Sequence, residues 1–402
     1  MYWRLTMINN FIYYAPTKVV FGKDTQLKVG ELLKENHAKK VLIHYGSERI
    51  VKDGLFKQVT DCLEAMNISY VSLGGVVSNP RLSLVRKGIE FAKQEQIDFI
   101  LAIGGGSVID SAKAIAYGYY LEEDIWDVFD KKVTPTKCLP IGAILTIAAA
   151  GSEMSGSSVI TNDETKDKRG YRNNLARLRF VIMNPALTIS VSDYTTQAGC
   201  VDIMMHTMER YFTNGSKMDL TDEFAEGLLR TVKHHALILH EDPANYESRA
   251  EVMWASSLSH NDLTGCGNDG DDFASHSLEH ELSALYDVSH GAGLAAIWGS
   301  WARYVYKDCL PRFVKFAKNV MLLERNNNES DEEYALRGIE ALENFFRSLN
   351  MPTSIKELGV EASDEDLQYM AHHIAEVTGG HRGSAKVLYE EDFLNIYRLA
   401  NH

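Results

Sequence analysis

The sequence predicts an α/β domain followed by an all-helical domain. Two patterns support this fold class: short β-rich runs alternate with amphipathic helical stretches in the first half, and only helical periodicity follows residue 186. The length of 402 residues also suggests two or three domains rather than one. We therefore divide the chain into residues 1–186 and residues 187–402.

The strands of the first half are predicted from runs rich in Val, Ile, Leu and Phe. They cover residues 39–45, 98–103, 139–145, 157–161 and 179–183. The second and third of these runs are apolar enough to be buried on both faces of a sheet. The spacing of apolar residues predicts a helix over residues 81–96, between the first two strands. Strands that alternate with helices imply a parallel sheet with right-handed crossovers.

The composition is that of an ordinary globular protein, with 45% hydrophobic and 24% charged residues. A net charge of −14 argues against a nucleic acid or an anionic membrane surface as partner, and no apolar run is long enough to span a bilayer. Residues 1–22 lack the features of a signal peptide. The five cysteines form no CxxC pair, so neither a disulfide scaffold nor a cysteine-bound zinc site is expected. We expect a cytoplasmic protein.

A glycine-rich turn links the second predicted strand to a helix. Its residues are Gly104, Gly105, Gly106 and Ser107. Glycine lets the backbone approach a ligand closely, and a helix N-terminus offers N–H groups to a phosphate. Ile109 stands where a Rossmann fingerprint needs its last glycine, and the GK[ST] of a P-loop is missing. Phosphate binding is the favoured interpretation and a tight turn without a ligand is the alternative. Gly46 and Ser47, after the first strand, are a weaker candidate.

Two pairs of polar side chains stand four residues apart in helical segments: Asp202 with His206, and His276 with His280. Residues at this spacing lie on one helix face and can reach one ion. Asp202 lies in an apolar run and needs a partner there, and His290 is flanked by small residues that leave it accessible. One carboxylate with two or three imidazoles is a typical site for zinc or ferrous iron, whereas an isolated pair is more often solvated.

His276 and His290 can share an ion only if the helix breaks between them. In one straight helix they would lie about 21 Å apart along the axis. Residues 286–289 supply a break, because two weak helix formers alternate there with two good N-cap residues, Asp287 and Ser289.

Three classes of function remain open on these residues. The segment HSLEH (276–280) matches the H-x-x-E-H pattern of a zinc metallopeptidase, with Glu279 as general base. That interpretation leaves the glycine turn and the Asp202/His206 pair without a role. A dehydrogenase uses both features, so we favour it. A non-catalytic dinucleotide- or metal-binding protein is the third class.

Three segments together resemble a known family. They are GGGSVIDSAK (104–113), GCVDIMMHTMERYF (199–212) and HSLEHELSALYDVSHGAGLA (276–295). The chain is similar, essentially end to end, to the iron-containing (group III) alcohol dehydrogenases, and most similar to their butanol dehydrogenase branch. Three motifs in the same order are far more specific than any one of them.

The resemblance implies a dinucleotide-binding α/β domain and a helical metal-binding, catalytic domain. It implies a divalent metal ion (Fe²⁺ or Zn²⁺), NAD(H) or NADP(H), and a small aldehyde or alcohol as substrate, and we expect a homodimer. The implied ligands are Asp202, His206, His276 and His290, and His280 is implied to be a proton-relay or orienting residue beside the metal. The implied cofactor contacts are Gly46, Ser47, Gly104, Gly105, Gly106, Ser107, Thr146 and Lys168.

The chain departs from the family pattern at several positions, none of them an implied metal ligand. The departures are Ala150, Asn184, Ser192 and Gln197, where the family usually has Thr, Asp, Pro and a small aliphatic residue. At the adenosine end, Glu48 would repel a 2′-phosphate and could bind the ribose hydroxyls, while Arg49 could attract the phosphate. We favour NAD(H).

Overall fold

The structure is a computed structural model that describes residues 9–215 and 218–402. Residues 1–8, the first part of the segment in which no signal peptide is expected, lie outside the described residues. The described chain divides into two compact units. The α/β unit comprises residues 14–191 and 244–253, and the helical unit comprises residues 9–13, 192–243 and 254–402. None of the helices described is both long and apolar enough to cross a membrane.

The strands are β1 Lys18–Phe21, β2 Lys40–Tyr45, β3 Ser69–Leu73, β4 Phe99–Gly104, β5 Ile141–Leu145, β6 Ser157–Thr161, β7 Lys168–Arg172 and β8 Phe180–Met183. The helices of the first half are α1 Val29–Glu35, α2 Arg49–Lys52, α3 Leu55–Ala65, α4 Leu82–Gln94, α5 Gly106–Gly118 and α6 Trp126–Phe129. The remaining helices are α7 Asp193–Tyr211, α8 Asp219–Glu241, α9 Tyr246–Ser259, α10 Ala274–Tyr286, α11 His290–Val305, α12 Leu310–Asn319, α13 Asp331–Ser348, α14 Asp364–Thr378 and α15 Glu390–Ala400.

Six strands form a parallel sheet in the order β1-β8-β5-β4-β2-β3. The predicted strands β2, β4, β5 and β8 form its centre, and β4 and β5 are buried at every position, as their apolar runs predict. The two edge strands, β1 and β3, were not predicted, because they are partly exposed and lack a continuous apolar run. The predicted strand at residues 157–161 forms β6, which pairs antiparallel with β7 in a separate sheet.

Helices cover both faces of the parallel sheet. Alternate strand residues belong to two different cores, as the period of two in a strand requires. One core joins Leu42, Ile100, Ala143 and Val181 to apolar residues of α4 and α5. The other joins Val41, Leu101, Ile144 and Phe180 to residues of α1 and α3. The predicted α/β class with a parallel sheet is therefore confirmed.

The helical unit is built around buried aromatic side chains of α11, α12 and the residue that follows α7. Phe212 stacks on Phe313 with ring centroids 4.3 Å apart, and Trp301 lies 5.9 Å from Phe212. A buried ion pair, with separations of 2.5 and 2.8 Å, joins both terminal nitrogens of Arg312 to the Asp222 carboxylate. Residues 190–402 contain no named strand in the part described, which confirms the helical class predicted for the second half.

Two of the family departures lie at helix starts, where their side chains serve as caps. The Asn184 side chain accepts a hydrogen bond from the Ala186 N–H at 3.1 Å and donates to Gln26 Oε1 at 2.8 Å. The Ser192 hydroxyl accepts from the Thr195 N–H at 3.2 Å and caps α7. Both side chains therefore have hydrogen-bond partners within the described chain.

The other two departures are packing changes. Ala150 faces the glycine turn, since a Cβ built on Gly106 would lie 3.1 Å from its Cβ. Gln197 is fully buried on α7, and its amide donates to Asp193 Oδ1 at 3.0 Å and to the Ala236 carbonyl at 3.3 Å. Gln197 thus joins α7 to α8 by one hydrogen bond, to Ala236, where an aliphatic side chain would pack.

Candidate functional site

A tight connection joins α10 to α11 and brings His276 and His290 together. Helix α10 ends before Asp287, which adopts the left-handed conformation with a φ of 53°, and α11 begins at His290. The break predicted for this connection is therefore present. Ser289 occupies the N-cap position of α11 without a side-chain hydrogen bond, whereas Asp287 terminates α10 rather than starting α11. The two imidazole rings lie 5.4 Å apart.

Helix α7 supplies Asp202 and His206 from its buried face. Each side chain belongs to a residue only 4% exposed. His206 Nδ1 lies 3.0 Å from the Asp202 carbonyl oxygen and 3.0 Å from Asp202 Oδ1. Nδ1 donates to the carbonyl, and Oδ1 of Asp202 has no hydrogen-bond partner among the described residues. A buried carboxylate oxygen is thus left for another cationic partner.

Donor atoms of Asp202, His276 and His290 converge within 4.8 Å of one another. Asp202 Oδ1 lies 4.0 Å from His276 Nε2 and 3.7 Å from His290 Nε2. Ligand atoms of a tetrahedral ion with bonds of about 2.1 Å are separated by roughly 3.4 Å, so these spacings suit one divalent cation. Within the described chain, His276 Nε2 also lacks a hydrogen-bond partner. Buried donor atoms in this state are costly unless an ion binds them, so these residues fit a metal.

His206 lies at the edge of this group. Its ring is 4.6 Å from that of His276, but the three donor atoms that converge belong to the other residues. Because Nδ1 of His206 donates its proton to the Asp202 carbonyl, Nε2 is the nitrogen with a lone pair in the neutral ring. Nε2 is therefore the atom through which His206 could bind an ion.

Two buried glutamates hold the imidazoles of His276 and His290 by their Nδ1 atoms. Glu209 Oε1 lies 3.0 Å from His276 Nδ1 and accepts from the His276 backbone N–H at 3.0 Å. One carboxylate oxygen of Glu279 contacts His290 Nδ1, and the other accepts from the Ser283 hydroxyl. A carboxylate on one ring nitrogen fixes the tautomer that leaves the other nitrogen able to bind a metal. Glu279 is 0% exposed, so the general-base role that the peptidase hypothesis gives it has no support.

The electrostatics of the cluster favour a cation. Burial opposes ionisation of Asp202, yet the imidazoles of His206, His290 and His276 hold the pKa of its carboxyl well below its usual range. Burial lowers the pKa of His276 well below 6.5, so its ring is neutral near pH 7 and keeps a lone pair. Burial also raises the pKa of Glu209 to about 7. A charged carboxylate thus faces the neutral imidazole of His276.

His280 is half-buried beside the cluster. Its ring lies 5.6 Å from that of His290 and 6.2 Å from that of His276. It belongs to a second group of donor atoms that could hold a cation, with Glu279 and His290, and not to the group that contains Asp202. The interpretation of His280 as a neighbour of the metal ligands rather than a ligand stays a prediction.

Sequence reasoning missed three residues around the cluster. Glu209 lies seven positions after Asp202, a spacing that returns to the same helix face, so it could have been found. The His260 ring lies 4.1 Å from that of His206, and the Phe273 ring lies 5.0 Å from that of His276. His260 does not follow from local spacing, because it reaches the site from the segment after α9, whereas Phe273 lies three positions before His276 and could have been found.

The glycine turn forms the start of α5. Strand β4 ends at Gly104, Gly105 is the N-cap and α5 begins at Gly106. A Cβ on Gly104 would lie 2.4 Å from Val108 Cγ2, and one on Gly105 would lie 3.0 Å from Ile147 Cβ. Packing therefore accounts for part of the glycine requirement. The first N–H groups of α5 lie ahead of its hydrogen-bonded ladder and are available to a phosphate.

The other predicted cofactor residues divide into two groups. Gly46 and Ser47 follow β2, and Thr146 follows β5, so all three lie at the same edge of the sheet as the glycine turn. The Thr146 N–H donates to the Gly104 carbonyl at 3.0 Å. Lys168 lies elsewhere, at the start of β7 in the two-stranded sheet, and is 8% exposed.

Comparison with known proteins agrees with this arrangement. Residues 16–185 match the family model described as iron-containing alcohol dehydrogenase, and residues 196–401 match the C-terminal model of the same family. The chain is 39% identical to NADH-dependent butanol dehydrogenase A of Clostridium acetobutylicum, covering 97% of this chain and 99% of that protein. It is 33% identical to the NADPH-dependent aldehyde reductase of Escherichia coli, covering 89% and 91% of the two chains.

A solved structure shows the same fold. The crystal structure of NADH-dependent butanol dehydrogenase A from Thermotoga maritima superposes with a TM-score of 0.94 at 38% identity, covering 98% of this chain and 99% of that one. The predicted enzyme class, an NAD(P)-linked oxidoreductase of alcohols and aldehydes with a metal ion, is confirmed, and the peptidase and non-catalytic alternatives find no support. The chain belongs to the iron-containing alcohol dehydrogenase family, in its butanol dehydrogenase branch.

Proposed function

We propose that this enzyme interconverts small primary alcohols and aldehydes of the butanol–butanal type. The observation that carries the proposal is the convergence of two buried, unpaired donor atoms, Asp202 Oδ1 and His276 Nε2, with His290 Nε2. Asp202, His206, His276 and His290 would hold Fe²⁺ or Zn²⁺, both of which suit an N/O ligand set. When bound, the ion polarises the substrate oxygen as a Lewis acid, and a nicotinamide ring donates or accepts the hydride.

The protein's own groups orient these ligands and move a proton. Glu209 and Glu279 hold the rings of His276 and His290 so that each Nε2 faces Asp202. His280 is half-buried next to the cluster, where a proton can pass between its imidazole and the substrate oxygen. Its place next to His290 and outside the group that contains Asp202 suits it to that transfer.

We propose that the glycine turn binds the pyrophosphate of the dinucleotide. The first N–H groups of α5, at Gly106 and Ser107, point out of the helix N-terminus, where the helix dipole favours a phosphate. Gly46, Ser47 and Thr146 lie at the same sheet edge and would contact the rest of the cofactor. Lys168 is the remaining contact in this proposal and is mostly buried.

NAD(H) is the proposed form of the cofactor. Glu48 accepts a hydrogen bond from the Tyr45 hydroxyl at 3.3 Å, next to the end of β2. Arg49 is turned to other partners, with Nη1 3.4 Å from the Ser190 carbonyl and Nε 3.9 Å from Asp53 Oδ2. A carboxylate therefore stands where a 2′-phosphate would need a cation. The name of the Clostridium relative, an NADH-dependent enzyme, supports the same choice.

Three broader features belong to the same proposal. Residues 1–186 would act as the dinucleotide-binding domain and residues 187–402 as the metal-binding, catalytic domain, which the family matches over 16–185 and 196–401 support. The five free cysteines support a reducing compartment, the cytoplasm. A homodimer is the proposed assembly, and the sedimentation coefficient of the purified protein tests it.

The experiment that tests the function combines metal content with rates on an aldehyde series from two to six carbons. We expect one Fe²⁺ or Zn²⁺ per chain, reduction of butanal, and higher kcat/KM with NADH than with NADPH. His276→Ala should lose the ion and butanal reduction together. The proposal is wrong if the metal-free His276→Ala variant reduces butanal at the wild-type rate.

A further inference from the structure

A fully buried lysine lies two turns along the helix that begins at the glycine turn. Lys113 of α5 is 0% exposed. Its Nζ donates to three carbonyls, of Ser152 at 2.7 Å, Ser155 at 3.0 Å and Ser157 at 2.6 Å. Burial lowers the pKa of Lys113 to about 8, against the opposing effect of Asp110. A buried ammonium is retained only where such hydrogen bonds offset its loss of water.

Asp110, one turn before Lys113 on the same helix, forms hydrogen bonds to the same stretch of chain, residues 152–159. Its carboxylate accepts from the Ser152 hydroxyl at 2.5 Å and from the Val159 N–H at 2.9 Å. The Ser152 hydroxyl also accepts from Lys113 Nζ at 2.9 Å, so it lies between the cation and the anion. Six polar contacts from one helix face to residues 152–159, four from Lys113 Nζ and two to the Asp110 carboxylate, define what we call the Lys113–Asp110 clamp.

The clamped segment is the continuation of residues 146–150, which lie over the glycine turn. Thr146 N–H donates to the Gly104 carbonyl at 3.0 Å, where β4 and β5 run side by side. A Cβ on Gly105 would lie 3.0 Å from Ile147, and one on Gly106 would lie 3.1 Å from Ala150. The two segments therefore lie too close together to admit a side chain at either glycine, and a displacement of residues 147–150 changes the space above the glycine turn.

We propose that Lys113 and Asp110 are positioning residues for dinucleotide binding. They fix the position of residues 152–157 against α5. They thereby set the distance between residues 146–150 and the N–H groups that would receive the pyrophosphate. Neither side chain contacts the cofactor, and both act through the backbone that the clamp fixes. This inference rests on the proposed binding of a dinucleotide at the glycine turn.

The test measures NADH affinity of the full-length protein by fluorescence titration, well below the unfolding temperature and without substrate. The variants are Ser152→Ala, which removes the hydroxyl alone, and Lys113→Met with Asp110→Asn, which removes both charges together. Lys93→Met is the matched control, because Lys93 is exposed near the end of α4 and donates to the Leu121 carbonyl at 2.7 Å, outside the clamped segment. Metal content and unfolding temperature are recorded for each protein.

We expect the NADH Kd to rise at least tenfold in the double variant and severalfold in Ser152→Ala, with metal content unchanged and the control like the wild type. In turnover, KM for NADH should rise more than kcat falls. Variants that unfold at lower temperature but bind NADH as tightly as the wild type would refute the positioning role of the clamp. That result would leave the proposed function unaffected. A wild-type protein that does not bind NADH would overturn the proposed function, and the clamp with it. If the double variant does not fold, Ser152→Ala decides the question.

Discussion

Glu209 holds the imidazole of His276 through Nδ1. The Glu209 Oε1 atom lies 3.0 Å from Nδ1, while Nε2, on the far side of the ring, has no hydrogen-bond partner in the described chain and lies 4.0 Å from Asp202 Oδ1. Because the same Oε1 also accepts from the His276 backbone N–H, it acts as an acceptor towards the ring, so Nδ1 carries the proton and Nε2 carries the lone pair. The direction of this one hydrogen bond makes His276 a donor to a metal.

Removing the charge of Glu209 should weaken metal binding without removing a ligand. In Glu209→Gln the backbone N–H of His276 keeps an acceptor, but the ring loses the carboxylate that fixes its tautomer. We expect metal affinity to fall about 10- to 100-fold, measured as ion retained after dialysis against a graded series of chelator concentrations. Glu223→Gln, on the exposed face of α8, is the control. Equal retention in wild type and Glu209→Gln would contradict the assigned role.

Glu279→Gln separates two hypotheses about the HSLEH segment. Since Glu279 contacts Nδ1 of His290, the variant should lose metal affinity and alcohol oxidation together, by about 10- to 100-fold. A general base of a peptidase would instead retain the ion and lose peptide cleavage. Glu281→Gln is the matched control, because Glu281 lies on the same helix and accepts from His373 at 2.7 Å. The control should retain the ion.

His280→Ala should keep the metal and lose turnover. Its imidazole lies outside the group formed by Asp202, His276 and His290, and removal of a proton-transfer group costs about 10²- to 10⁴-fold in rate. We expect full metal content, a lower kcat and a changed pH profile of kcat. His234→Ala, exposed on α8, should match the wild type. Loss of the ion in His280→Ala would make His280 a ligand and remove it from the relay.

The fold could be predicted where the burial of an element gives its sequence a simple pattern of apolar residues. The strands β4 and β5 are buried on both faces and appear as continuous apolar runs. The edge strands β1 and β3 expose part of each side, so their patterns are mixed and neither was predicted. The pairing of β6 with β7 rather than with the parallel sheet depends on contacts across the chain, which local periodicity does not contain.

The candidate site divides in the same way. The i, i+4 spacing of Asp202 and His206 and the need for a break before His290 follow from helix geometry alone. The orientation of each ring does not, because it is set by Glu209 and Glu279 through contacts between turns and between helices. His206 shows the difference: its spacing predicts a ligand, but only the hydrogen bond from Nδ1 to its own helix identifies Nε2 as the atom that could bind an ion.

A buried histidine of the α/β unit should make stability fall in acid. His44 is 0% exposed; its Nδ1 donates to the Leu73 carbonyl at 2.9 Å and its Nε2 accepts from the Ser111 hydroxyl at 2.8 Å. Burial lowers the pKa of His44 from 6.5 to about 4. Between these values the unfolded chain binds the proton and the folded chain does not, so stability present above pH 6.5 is lost towards pH 4, by ~3 kcal/mol in total.

His44→Asn keeps a donor near Nδ1 and removes the titration, so its urea midpoint should fall less between pH 6.5 and pH 4 than that of the wild type. His37→Asn, an exposed site in a left-handed conformation that Asn tolerates, should follow the wild-type curve. Parallel pH curves for wild type and His44→Asn would show that His44 contributes nothing to acid destabilisation.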